Sequence, residues 1–296
     1  METHTIDLPG RRRLGYCRLG SAGGAPVMSF HGGLSCRLES VFADDLCSRL
    51  GVNLIVPDRP GIGLSDCSPG RTLLDWPSDV EALADALGFD RFAVMGWSAG
   101  GPFALACAHR IGDRLTAVAS VAGVAPLDWP GCITGLGLGV DRFLFRLARR
   151  HAGVAGRLLA PARWSPSGVI RRLLVHALRA SGDADAEFIA ASSVGEFADS
   201  MLESLRPGGL GTAHDYHLLG GDWGFSPADI ETEVFIWHGL DDGLVPSSHA
   251  RRLADALPSP RLNLVPEHGH FLPRRCMRDL LLALLGRPRD RSIGDG

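Results

Sequence analysis

The chain has 296 residues, 45% apolar and 21% charged, the composition of an ordinary globular protein with material for a sizeable core. Its formal net charge of −3 gives no electrostatic reason to expect nucleic acid or an acidic lipid surface as a partner. No disulfide or metal staple is needed at this size.

Residues 1–13 lack an apolar run and carry Glu2 and Asp7, which argues against a secretory signal. Residues 5–18, turning at Pro9-Gly10, predict an opening hairpin. A strand is expected over 27–30, a helix over 38–50, a strand over 52–56 and a loop over 57–69. Residues 75–87 hold Val80, Leu83, Ala84 and Leu87 at helical spacing and stop at Gly88. A strand over 92–95 runs into Gly96-Trp97-Ser98-Ala99-Gly100-Gly101, a helix follows to about 110, and 115–121 is a buried strand. The longest apolar stretch, 115–127, is broken by Gly, Ser and Pro and is too short to span a bilayer.

Strand signals then almost vanish from 128 to 230, where helical patterns are broken by Gly and Pro. The βα rhythm returns with a strand over 234–237, a helix over 247–257, a strand over 262–265 and a helix over 272–285. The expected fold is therefore α/β, a mostly parallel sheet flanked by helices. Residues 1–127 and 231–296 would form the core, and 128–230 a helical cap over the carboxyl edge of the sheet, where open α/β folds bind ligands. The polar tail from 286 onwards is expected to fray. Seven scattered cysteines without a CxxC pair suggest neither a disulfide framework nor a zinc site, and a cytoplasmic protein is expected.

Chemistry is concentrated at strand ends. Gly96-Trp97-Ser98-Ala99-Gly100 places a serine on a sharp strand-to-helix turn, with small residues two positions either side. With 38 glycines in the chain the pattern alone is weak, but the strand before it and the helix after it supply the required context. A serine nucleophile needs a base, and the base an orienting acid. Asp241 and Asp242 follow one late strand, and His268 and His270 follow the next, so both loops open on the edge that carries Ser98. Phe30-His31-Gly32-Gly33-Leu34 ends an earlier strand, and its glycines let backbone N–H groups approach a substrate oxygen. One oxyanion donor is assigned to Ala99 and the second to Gly33, with Leu34 as the fallback.

Other residues carry plainer readings. His31 braces the oxyanion loop. Glu267, His268 and His270 lack the spacing of a zincin site, and neither a metal nor a cofactor is expected. All 30 basic residues are Arg, as codon bias in a GC-rich genome would give. The nine between Arg142 and Arg179 read as a solvated helix face, the alternative being a patch for an acidic substrate or lipid. Trp97, Trp223 and Phe225 are candidates for an acyl pocket, Trp97 foremost because it adjoins Ser98; Trp223 and Phe225 suit a cap core equally well.

Taken together, these motifs resemble the α/β-hydrolase superfamily over about residues 5–127 and 231–285. His31-Gly32-Gly33 is similar to its His-Gly-X oxyanion motif, and Asp58-Arg59-Pro60-Gly61-Ile62-Gly63-Leu64-Ser65 to its D-x-x-G-x-G-x-S loop. Gly96 to Gly100 resembles the nucleophile elbow, Gly239-x-x-Asp242-x-x-Val245-Pro246 the acid loop, and Gly269-His270 the histidine loop. The resemblance implies Ser98 as nucleophile, Asp242 as acid and His270 as base. Asp128 stands near a position where some relatives carry their acid, and Asp241 is the adjacent competitor. The implied activity is hydrolysis of a small or medium, fairly apolar carboxylic ester, lactone or thioester without a cofactor, with Trp97 and Leu34 at the substrate and no nucleic acid or membrane partner. An acyltransferase, a perhydrolase or a C–C bond hydrolase would use the same three residues. A receptor-like binding protein is the alternative outside enzymes, and multiple turnover on simple esters separates the two.

Overall fold

The computed structural model describes residues 2–181, 184–185, 188 and 193–288. The chain opens with strands β1 (Glu2–Leu8) and β2 (Arg12–Gly20), an antiparallel hairpin whose turn uses positive φ at Gly10 (82°) and Arg11 (64°). Then follow β3 (Ala25–Phe30), α1 (Asp44–Leu50), β4 (Val52–Pro57), α2 (Trp76–Ala86), β5 (Phe92–Trp97), α3 (Gly101–Ile111) and β6 (Leu115–Val121). Between β6 and the next strand lie α4 (Cys132–Gly135), α5 (Gly139–Leu159), α6 (Ser167–Ser181), α7 (Ser193–Ser204) and α8 (Leu210–Gly220), with no strand among the described residues. The chain closes with β7 (Val234–Gly239), α9 (Ser248–Ala256), β8 (Pro260–Val265) and α10 (Pro273–Leu284).

The described strands form one eight-stranded sheet in the order β1-β2-β4-β3-β5-β6-β7-β8, antiparallel at β1/β2 and β2/β4 and parallel from there on. Strand side chains alternate between its two faces. Met28, Ile55 and Val94 point to one side and pack with Trp76, Leu83, Phe103 and Leu253 of α2, α3 and α9. Val27, Leu54 and Met95 point to the other and pack with Cys47, Leu280 and Leu284 of α1 and α10. A parallel sheet covered on both faces needs such near-continuous apolar strands, and β4 is buried at all six positions.

One predicted helix is shorter than its apolar pattern. The helix expected over 38–50 begins only at Asp44, after a single 3₁₀ turn at Val41–Ala43. The side chain of Glu39 is turned inward to accept from Gly32 N–H, and Ser40 Oγ lies 3.4 Å from Ser29 Oγ. These local side-chain bonds hold the stretch against the core in a conformation a helix would not allow.

In the helical segment between β6 and β7, α5 has a non-helical residue at His151 (φ −144°, ψ 62°), where the helix kinks. Close contact with α8 is permitted by small residues: a Cβ built on Gly156 would lie 3.0 Å from Leu210 Cα. Arg146, Arg149, Arg150, Arg157, Arg163, Arg171, Arg172 and Arg179 are all exposed. Trp223 is buried in the main core and Phe225 stacks on His109 (centroids 5.0 Å apart), so both rings serve packing. Among the described residues, no helix is long and apolar enough to cross a membrane.

Candidate active site

Strand β5 delivers Ser98 to the carboxyl edge of the sheet. Ser98 has φ 53°, a left-handed conformation that costs energy for a non-glycine residue and marks a site held by its surroundings. A short 3₁₀ turn at Ser98–Gly100 leads into α3, so the N-terminal N–H groups of that helix lie beside the serine. A Cβ built on Gly96 would come within 2.0 Å of Gly100 O, and one on Gly100 within 2.1 Å of Phe30 O. Backbone cannot yield as a flexible side chain can. Gly96→Ala is therefore expected to destabilise the fold by about 3 kcal/mol or more, seen as a melting temperature lowered on the order of 10 °C. A variant melting with the wild type would show that the turn tolerates a side chain.

The histidine loop after β8 and the acid loop after β7 meet beside it. His270 Nδ1 lies 2.9 Å from Asp242 Oδ2. A carboxylate only accepts, so Nδ1 carries the proton and Nε2 is left to act as a base. The other oxygen, Oδ1, accepts from Leu244 N–H (2.9 Å) and Val245 N–H (2.8 Å), which fixes the carboxylate plane. His238 Nε2 donates to Val245 O at 2.7 Å and stands 3.3 Å from Asp242 Oδ2. Burial pushes the Asp242 carboxyl up, but the charge of His270 and hydrogen bonds from both histidines outweigh it and hold Asp242 below the usual range. Burial likewise pushes His270 down. Asp242, by charge and hydrogen bond, with Asp185 and Asp141 behind it, brings the imidazole above its ordinary value.

Groups from two distant parts of the chain hold the histidine in place. Asp185 accepts from His270 N–H (3.0 Å) and Phe271 N–H (2.9 Å), and a Cβ on Gly269 would lie 2.5 Å from its carboxylate. Trp97 Nε1–H donates to His270 O at 3.0 Å, and the two rings lie 5.7 Å apart. The competing acids point elsewhere: Asp241 and Asp128 are both exposed. His268 Nδ1 is 2.7 Å from Pro266 O, and Glu267 is exposed. Among the described residues, no group of three or more His, Cys, Asp or Glu is placed to hold a metal ion.

The loop after β3 supplies the remaining wall. Gly32 lies against Ser98, since a Cβ there would be 3.6 Å from Ser98 Cβ. Its N–H is taken by Glu39 (2.8 and 3.1 Å). Leu34 adopts φ 48°. Burial pushes the Glu39 carboxyl up to about 7, against the pull of the Gly32 and Ser35 hydrogen bonds. His31 Nδ1–H donates to Gly32 O (2.9 Å) while its Nε2 accepts from Arg59 N–H (3.3 Å), so the imidazole is a neutral brace. Burial first, and then Arg59, hold it well below the usual imidazole range. The Arg59 guanidinium donates to His31 O and, at 2.9 Å, to Gly32 O. It also pairs with Asp215 of α8 at 2.7 Å, and Arg71 pairs with the same carboxylate.

A cavity of about 300 Å³ opens on this edge. Ser98, His270, Gly33, Leu34, Ala99 and Trp97 all line it, whereas the buried Asp242 and the acyl-pocket candidates Trp223 and Phe225 do not. Much of the opposite wall is apolar and comes from α5, α6 and α7, with Ile170, Leu174, Leu178 and Met201 among its members. Glu39, Arg59, Asp185, Asp215 and His238 escaped the sequence reading. The motif Asp58-Arg59 and the adjacency of His238 to Gly239 were the available signals; Asp185 and Asp215 had none, because their partners are remote in sequence.

A family model described as the alpha/beta hydrolase fold matches residues 25–273. A pimeloyl-[acyl-carrier protein] methyl ester esterase of Legionella pneumophila (strain Corby) is 31% identical over 113 residues, 36% of this chain and 44% of that protein. The chain thus matches less than half the length of that relative. A Caulobacter sp. (strain K31) protein, RutD, assigned to carbamate hydrolysis by name only, is 30% identical over 237 residues, 76% of this chain and 75% of the relative. Among solved structures, a thermophilic esterase from Thermogutta terrifontis superposes with a TM-score of 0.68 at 21% identity, covering 96% of this chain and 99% of the other. A hydrolase from Pseudomonas aeruginosa PA01 gives a TM-score of 0.71 at 18% identity, covering 96% and 98%. At such identities these two likenesses speak for the fold.

Proposed function

The chain belongs to the α/β-hydrolase fold family, and on that premise we propose that it is a serine hydrolase of small or medium carboxylic esters, lactones or thioesters, working through an acyl-enzyme on Ser98. The observation that carries this reading is the 2.9 Å contact from His270 Nδ1 to the buried, doubly anchored Asp242, at the edge of the cavity that also takes in Ser98. Ser98 Oγ attacks the acyl carbonyl while His270 Nε2 takes its proton. The tetrahedral oxyanion accepts from the N–H groups of Gly33 and Ala99. His270 then hands the proton to the leaving group and, in the second half, activates the water that resolves the ester. Asp242 keeps the imidazole in the working tautomer and balances its transient charge.

Residues 128–230 act as the cap in this reading, their apolar helices covering the acyl chain. Trp97 and Leu34 flank the reacting carbonyl. The relatives named for ester and carbamate hydrolysis favour the same class of bond. The reading is tested with p-nitrophenyl esters of increasing acyl length: purified protein should turn over the short and medium ones, with no change on adding EDTA. Turnover abolished by EDTA and restored by zinc would replace the serine mechanism with a metal one.

A further inference from the structure

Two polar side chains, Tyr216 and Asp141, face the otherwise apolar half of the cavity. Tyr216 of α8 is 4% exposed, yet its hydroxyl has no hydrogen-bond partner among the described residues. A Cβ built on Gly33 would stand 3.0 Å from that oxygen, so the phenol lies against the oxyanion loop. Asp141, in the first turn of α5, lines the same cavity, and its carboxylate also lacks a hydrogen-bond partner among the described residues. One turn further along, Phe145 stacks on Tyr216 with centroids 4.4 Å apart and 24° between planes. Residues four apart share a helix face, which puts Asp141 on the side of α5 that meets the tyrosine.

The arrangement is fixed rather than incidental. Asp215, the neighbour of Tyr216, is locked by Arg59 and Arg71, and Arg59 also grips the carbonyl of Gly32. The phenol is therefore tied to the oxyanion loop through a buried ion-pair network. Burial, with Asp141 and Asp215 adding to it, keeps the phenol well above its usual range and so always a donor. Burial pushes Asp141 up to about 6, against the pull of His270 and Arg142, which leaves it an acceptor at neutral pH.

A purely apolar acyl chain would leave both groups desolvated and unpaired, which is unfavourable. A carboxylate there would be repelled by Asp141. An ammonium group would pair with Asp141 but repel the imidazolium that forms at His270 as Ser98 attacks. A hydroxyl satisfies both, donating to Asp141 and accepting from Tyr216. We propose that Tyr216 and Asp141 form a subsite for a hydroxyl on the acyl part of the substrate, within two carbons of the scissile carbonyl, so that the preferred substrates are esters of 2- or 3-hydroxy acids. This rests on the reading of Ser98 as the nucleophile whose acyl group reaches Tyr216.

The test compares p-nitrophenyl 3-hydroxybutyrate with p-nitrophenyl butyrate, and the lactate with the propionate ester, on the full chain. The wild type should favour the hydroxy ester of at least one pair by roughly 10²-fold in kcat/KM, since a site built to bond a hydroxyl rejects the analogue that lacks it. Tyr216→Phe, which removes the donor, and Asp141→Leu, which removes the acceptor, should each lower that ratio several-fold. Because the readout is a ratio within one protein, it survives a general loss of activity, and either variant suffices if the other fails to fold. A wild-type ratio near one in both pairs overturns the subsite, as does a ratio unchanged in the folded variants. Equal loss on both esters in Tyr216→Phe, with the ratio intact, makes the phenol an oxyanion donor instead. Absence of turnover on all four esters, together with no labelling of Ser98 by a fluorophosphonate, overturns the nucleophile itself.

Discussion

Ser98→Ala is expected to lower ester turnover by roughly 10⁶-fold and to abolish labelling by a fluorophosphonate, while the protein stays folded. In a serine hydrolase studied by the same substitution the loss is about 2 × 10⁶ in kcat, the remnant coming from the oxyanion donors and binding alone. Stability should change little. Ser98 sits at φ 53°, where alanine meets the same strain as serine. No hydrogen bond of its hydroxyl to another described residue would be broken. The pair of readouts separates two outcomes that turnover alone confuses. Labelling that survives in Ser98→Ala, at any rate, would move the nucleophile to another serine. Lost labelling with retained turnover would mean that the probe reacts where the chemistry does not.

The sheet and the three loops that meet at the cavity were legible because they are written locally. Parallel strands buried on both faces, such as β4, read as short apolar runs between turn residues, and Gly96 and Gly100 sit where any Cβ would strike backbone. What local pattern cannot show is a side chain recruited from far along the chain. Residues 38–50 carry a helical pattern, yet Glu39 is drawn away to Gly32, and the helix waits until Asp44. Trp223 and Phe225 could be read as pocket or core from their position in the sequence; the structure places both in packing against the α/β core. The bond from Arg59 to Asp215 spans 156 residues, and that from His270 to Asp185 spans 85. No window of sequence contains either pair.

Those two long-range bonds change how the helical segment is understood. Asp185 holds the backbone of His270 and Phe271, and Asp215 holds the arginine that grips the carbonyl of Gly32. Residues between β6 and β7 thus reach both the His270 loop and, through Arg59, the loop at Gly32, besides walling the cavity. Substitutions in this segment can therefore alter kcat through the position of His270 or Gly33, with no contact to substrate at all.

Asp242→Asn should lower kcat by about 10⁴-fold, some 5 kcal/mol of transition-state stabilisation, with folding near wild type. The asparagine carbonyl can keep the bonds from Leu244 N–H and Val245 N–H, so the loop geometry survives. Its amide NH₂ would then face His270 Nδ1 at the place where Oδ2 now accepts at 2.9 Å. A donor there requires Nδ1 to accept, which drives the ring proton to Nε2 and leaves no base facing Ser98. The imidazolium formed during attack also loses its counter-charge. His238 does not compensate, since its Nε2, which donates to Val245 O at 2.7 Å, cannot replace the acceptor that His270 Nδ1 has lost. Asp241→Asn and Asp128→Asn are the controls. Both carboxylates are exposed, so each variant should stay within about tenfold, no more than ~1.4 kcal/mol. Near-normal turnover in Asp242→Asn, with collapse in either control, would transfer the acid to that residue. A loss in all three that tracked a lowered melting temperature would make the effect one of folding and remove the case for Asp242 as the orienting acid.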